Sequence, residues 1–251
     1  MSSSSTDAAP AAHVPPQGGE RTFLQVLVNT AIANITTSYL WFALTFWVYL
    51  ETRSVLATGV IGGAYMLLIA LFSMLFGTVV DRHRKHAVML FAGAFTLVAF
   101  CLSGGLFSLI PEARLLDLTQ PWFWVFSAII LIGAVVENMR NIVLSTTVTL
   151  LVPQDRHANA NGMVGTVQGL AFMVTSVLSG LSVGLLGMGW TLVIAIALTA
   201  AALMHLFFLR IPEEQPQQDG ERRPVIDLRG SITAVRAATG LFALIIFSTF
   251  N

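Results

Sequence analysis

Residues 77–86 set one acid, three bases and two histidines between two apolar runs that carry almost no charge. Such a cluster belongs in water, while each flanking run has the roughly 20 apolar residues needed to cross a hydrocarbon core as a helix. The cluster is thus a loop between two membrane crossings. Composition agrees, since apolar residues make up 55% of the 251 positions and charged residues only 10%. Ordinary soluble domains carry roughly 25% charge, so this chain lacks the polar surface to face water on every side. Its mean hydropathy is +0.78. A formal net charge of zero leaves no basic excess to neutralise phosphates, which excludes nucleic acid as a partner. Cys101 is a single thiol inside an apolar run, so no disulfide framework or thiol metal site is implied.

Apolar runs of spanning length predict six transmembrane helices, at about residues 23–50, 57–80, 87–109, 122–150, 163–186 and 188–209. The last two are separated only by Gly187, Met188 and Gly189, which predict a tight hairpin. Residues 1–22, rich in Ser, Ala, Pro and Gly near the start, predict a disordered tail. A signal peptide would need a charged start followed directly by an apolar stretch, and the tail has neither. After residue 209 a hydrophilic linker at 210–236 leads to a final apolar run, 237–251, too short to span and expected to be the start of a seventh helix. With the N-terminus in the cytoplasm, ten lysines and arginines fall inside and only Arg53 and Arg114 outside, with Arg140 within the fourth run. The positive-inside rule therefore predicts a multi-pass protein of the cell membrane, embedded in lipid, with a cytoplasmic N-terminus.

Within this frame the 77–86 loop resembles the signature of the major facilitator superfamily, approximately Gly-x-x-x-Asp-Arg-x-Gly-Arg-Lys between the second and third helices. Gly77, Asp81, Arg82, Arg84 and Lys85 match it in order, while the inner glycine is absent and the loop is one residue shorter. A second stretch, Val152-Pro153-Gln154-Asp155-Arg156 followed by Ala160-Asn161-Gly162, resembles the corresponding loop of drug-efflux branches. The resemblance implies an all-α membrane protein: a six-helix bundle that is half of a twelve-helix fold, with an incomplete seventh helix. It further implies a secondary transporter that works with a C-terminal six-helix half absent here, and a gate role for Gly77, Asp81, Arg82, Arg84 and Lys85. By the same resemblance the expected substrate is a small amphipathic molecule or drug, moved outward. A six-helix remnant acting as a scaffold is the alternative function.

Other positions carry chemistry of their own. Thr30, Asn34, Thr37, Ser38, Trp41 and Thr45 share one face of the first helix, either lining a watery cavity or bonding neighbouring helices. Gly165, Gly169, Ser176, Gly180 and Gly184 are spaced for close approach of helix backbones. The glycine- and proline-rich pattern of antiporter branches is lost there, so it offers no support for antiport. His83 and His86 lack an acid or cysteine to complete a ligand set, and no metal or cofactor is expected. No nucleophile elbow, phosphate loop or zinc-protease motif appears, so an enzyme is not expected. Glu137 and Arg140 stand three residues apart within the fourth run. Ionisable groups at such depth face a protein interior or a watery path, unless the span ends early and both lie at the interface. Burial and the nearby guanidinium act on the Glu137 proton in opposite directions, which leaves a coupling proton open.

Overall fold

The computed structural model describes residues 19–209. The tail before Gly19, the linker at 210–236 and the apolar run at 237–251 lie outside the described residues. Every long element among the described residues is helical: α1 (Gly19–Thr52), α2 (Val55–Arg82), α3 (Lys85–Leu109), a short α4 (Glu112–Leu115), α5 (Pro121–Glu137), α6 (Met139–Leu151) and α7 (His157–Phe207). Helices α5 and α6 are separated by Asn138 alone, and together form one of five apolar segments long enough to cross a membrane.

The first helix begins four residues earlier than the apolar run suggests, at Gly19 rather than residue 23. Two contacts hold the extra turn. Gly19 lies so close to α6 that a Cβ there would stand 2.5 Å from the Leu151 carbonyl oxygen. Glu20, favoured at the positive end of the helix dipole, pairs with Arg156 at 2.9 Å. Residues 19–22 therefore belong to the bundle and not to the tail.

Contacts along α1 fix the directions of the other helices. Gly19 meets Leu151, Asn29 meets Arg140, and Trp47 stacks edge-on against Phe126, so the α5–α6 segment runs antiparallel to α1. The same logic applies to α7. A straight helix of its 51 residues would be about 76 Å long, yet both of its ends reach the same end of α1. Arg156, just before its start, bonds Glu20, Phe172 stacks edge-on with Phe42, and Gly180 faces Phe46. Ala202 and His205, near its end, bond back to Asn29. The reversal is at Gly187, whose φ of 78° and ψ of 170° break the helix. Two arms result, and the second lies against α3, from Phe107 beside Gly189 to His86 beside Leu206.

The apolar core falls into two clusters. One includes Leu40, Trp47, Phe100, Phe123, Phe126 and Ile130, and the other includes Phe23, Met89, Val143, Val148 and Leu206. Each is packed at one end of the bundle, and Trp47 anchors the first by donating its indole N–H to Glu112 at 3.0 Å. The turn after α4 is held by Asp117, which accepts from the Thr119 hydroxyl and backbone N–H at 2.6 and 2.9 Å. Those bonds keep its carboxyl below the usual carboxylate range. Between the two clusters lies a waist of polar side chains.

The backbone values at Gly187 lie in a region that side chains with a Cβ rarely adopt, at a cost of order 1–3 kcal/mol. Gly187→Val should lower the thermal unfolding temperature in detergent, whereas Gly184→Val, with nothing among the described residues within 4 Å of its Cβ position, should leave it near wild type.

Candidate functional site

The waist is built on one ion pair. Arg140 donates from Nε to Glu137 Oε1 at 2.5 Å, and the two side chains are only 1% and 3% exposed. Their i, i+3 spacing brings them together even though the helix is interrupted at Asn138 between them. The rest of each charged group is satisfied by other helices. Arg140 Nη1 donates to Asn29 Oδ1 on α1 at 2.5 Å, and Nη2 reaches the Met89 carbonyl on α3 at 3.4 Å. Glu137 Oε2 accepts from the Thr96 hydroxyl on α3 at 3.0 Å. Asn29 passes the network on, donating from Nδ2 to the Ala202 carbonyl at 2.9 Å and lying 3.0 Å from His205 Nδ1. Gly93 makes room for the guanidinium, because a Cβ there would lie 2.6 Å from Nη2. Both residues lie inside the bundle, packed among α1, α3, α5 and α6.

Beside the pair opens a cavity of about 310 Å³. Of the first-helix stripe, Asn34, Thr37 and Ser38 line it, and so does Glu137. Thr30 and Trp41 are instead buried outside its lining, and among the described residues the Thr30 hydroxyl and the Trp41 indole N–H have no hydrogen-bond partner. Thr45 turns its hydroxyl back to the Trp41 carbonyl at 2.9 Å. The stripe therefore divides, because six positions spread over four turns are wider than the one opening between α1 and its neighbours. On the far side Asn138, Asn141 and Gln168 join the lining, with Tyr65 and Phe172 as its aromatic walls. Asn29, Thr96, Tyr65 and Gln168 were not singled out by the sequence pattern. Asn29 carried a usable signal, since a buried amide in an otherwise apolar turn needs a partner.

The loop between α2 and α3 stands apart from this cavity. Asp81, Arg82 and Arg84 are exposed, while Lys85 extends its ammonium to the Val80 carbonyl at 2.5 Å and so caps the end of α2. His86 donates from Nε2 to the Leu206 carbonyl at 3.2 Å, tying α3 to the second arm of α7. Among the described residues nothing lies within 4 Å of a Cβ placed on Gly77. The same is true of Gly165, Gly169 and Gly184, so within the described residues the spaced glycines of α7 do not bring two backbones together as their spacing suggests. Gly180 alone of that set meets a neighbour, Phe46, at 3.6 Å.

A bundle of apolar helices around a charged polar waist, with a basic loop between the second and third, is matched by the family model for the Major Facilitator Superfamily over residues 26–251. The chain belongs to the Major Facilitator Superfamily. It is 21% identical over 228 residues to macrolide efflux protein A of Streptococcus pyogenes, covering 90% of this chain and 54% of that protein. It is also 24% identical over 217 residues to an MFS-type transporter of Claviceps purpurea, covering 85% of this chain and 33% of that one. The chain thus spans about half the length of the first of these relatives and a third of the second. No solved structure matches it. Membership agrees with the five apolar segments long enough to cross a membrane, and makes this a multi-pass membrane protein of that superfamily.

Removing one partner of a buried ion pair costs about 3–5 kcal/mol, because the other charge is left uncompensated, while removing both is far milder. Arg140→Met alone should therefore lower the unfolding temperature more than the Glu137→Gln/Arg140→Met double variant. Thermal unfolding followed by tryptophan fluorescence in detergent ranks them. The reverse order would show that the pair is not buried as described.

Proposed function

We propose that the chain is one six-helix bundle of a secondary transporter that exports small amphipathic compounds by alternating access. The observation that carries this reading is the polar cavity opening directly beside the buried Glu137–Arg140 pair. Charged and amide groups deep in an apolar span are costly, and they are kept where a solute or proton must pass. A cavity of that volume with aromatic walls suits a small molecule with an apolar body. Outward direction is supported by similarity to a protein named for macrolide efflux.

In this reading α7 counts as two crossings, one on each side of Gly187, which makes six with α1, α2, α3 and the α5–α6 segment. The excess of bases on the side of Arg82, Arg84, Lys85 and Arg156 supports a cytoplasmic position for that end and for the N-terminus. A second six-helix bundle closes the cavity from the other side, and the two rock against each other about the midplane site. Among the described residues no side chain packs within 4 Å of the Cβ positions of Gly77, Gly165 and Gly169, which is compatible with that bundle approaching there. Gly77, Asp81, Arg82, Arg84 and Lys85 act as its cytoplasmic gate, and Glu137 carries the coupling proton, set against Arg140.

Orientation is tested by single-cysteine labelling in a Cys101-free background, where position 83 should react only after the cells are opened. Labelling from outside intact cells would overturn the topology. Function is tested by substrate accumulation. Cells expressing residues 1–251 alone should match vector controls, and efflux should appear only with a complementary six-helix half. In that assembly Glu137→Gln should flatten the pH dependence of transport, and Arg140→Ala should reduce transport more than expression. An unchanged pH profile in Glu137→Gln together with normal transport by Arg140→Ala would remove the proton role.

A further inference from the structure

The chemistry of the cavity bears on which compounds it takes. Among the described residues its one charged liner is Glu137, with one carboxylate oxygen held by Arg140 at 2.5 Å and the other 3.0 Å from the Thr96 hydroxyl, which also faces the Gly133 carbonyl at 2.9 Å. The adjoining Arg140 guanidinium balances that carboxylate's charge, which leaves little net attraction for a ligand cation. What the cavity offers instead is carboxamide. Asn141 Oδ1 accepts from Asn34 Nδ2 at 2.7 Å and from Gln168 Nε2 at 3.3 Å, and Asn141 Nδ2 donates to Asn138 Oδ1 at 3.1 Å. Four amides from α1, the α5–α6 junction, α6 and α7 are thereby joined through one residue.

These bonds fix how the remaining groups are presented. Because Asn34 and Gln168 both spend a donor on Asn141, their oxygens are left to accept, while Asn138 keeps its N–H groups to donate. Acceptors and donors side by side, with no net charge, complement hydroxyl or amide groups and not an ion. A site built to hydrogen-bond such groups rejects analogues that lack them, because its own polar atoms are then left unpaired. Phe172, edge-on to Phe42 at 4.8 Å, and Tyr65, stacked on Trp41 at 4.9 Å, supply flat apolar walls for the rest of the ligand.

We propose that this cavity binds the uncharged, hydroxyl- or amide-bearing face of an amphipathic ligand through Asn34, Asn138, Asn141 and Gln168, with Asn141 as the residue that sets the preference. The inference rests on the transporter reading for the cavity's being a ligand site.

Isothermal titration of the full chain in lipid nanodiscs, with phenyl β-D-glucoside and phenyltrimethylammonium as probes, tests it. The glucoside should bind saturably and the cation should not. Asn141→Leu should weaken the glucoside roughly tenfold, the loss of about one net hydrogen bond. Asn141→Asp, which keeps the shape and adds a negative charge, should weaken the glucoside and bring in the cation, so the proposal stays testable if the leucine variant folds poorly. Tighter binding of the cation to the unaltered chain, abolished in Glu137→Gln, would overturn the ligand class while leaving the cavity as a transport site. Glucoside affinity unchanged in both Asn141 variants would overturn it by placing binding elsewhere. Absence of binding by either probe would overturn it as well, and the accumulation assay with the complementary half then reports on the transporter reading separately.

Discussion

A guanidinium and a carboxylate inside an apolar bundle are tolerable only if every polar atom they carry finds a partner, and the packing of this chain follows from meeting that demand. Arg140 and Glu137 draw Asn29 from α1, Met89 and Thr96 from α3, and through Asn29 the second arm of α7. Hydrophobic burial cannot align these helices by itself, because lipid is as apolar as their own side chains. Directional bonds can. The pair fixes the relative height of α1, α3 and the α5–α6 segment, and the two apolar clusters fill the space above and below it.

The same demand explains why a cavity exists beside the pair. Asn34, Asn141 and Gln168 are too polar to face lipid unpartnered, and they bond one another around an opening. Back-bonding to the preceding helical turn serves the hydroxyls elsewhere, as at Thr37, Thr45 and Thr175. A carboxamide carries two N–H donors and a carbonyl, more than one backbone carbonyl of the preceding turn can satisfy. Where four of them converge, the bundle either closes over their mutual bonds or leaves room for a solute. Here it leaves room.

Much of this was legible in the chain. Long apolar runs located the helices, and Glu137 and Arg140 stood out because charge in such a run has no neutral explanation. Asn34, Thr37 and Ser38 were visible as part of a polar face. Thr30, Trp41 and Thr45 belonged to that face by spacing yet miss the opening, since helical periodicity gives a direction and not the position of the neighbouring helix. Tyr65 and Phe172 were illegible for a different reason: an aromatic ring in an apolar helix looks the same whether it meets lipid, another helix or a cavity. The small residues of α7 misled because their spacing marks a surface able to approach a neighbour, and the neighbour is not among the described residues. Gly187, by contrast, was readable as a turn, although the helix runs up to it and away from it with no loop between.

That abrupt reversal bears on how the protein is made. From Met163 to Leu209 the sequence has no lysine, arginine, aspartate or glutamate, and the bend itself is Leu186, Gly187 and Met188. A hairpin with a charged outer loop must drag that loop through the hydrocarbon, at a few kcal/mol per charge. The two arms of α7 carry no such cargo. Their bend is an apolar tip, so an insertion of the two arms as a pair would carry no charge across the hydrocarbon.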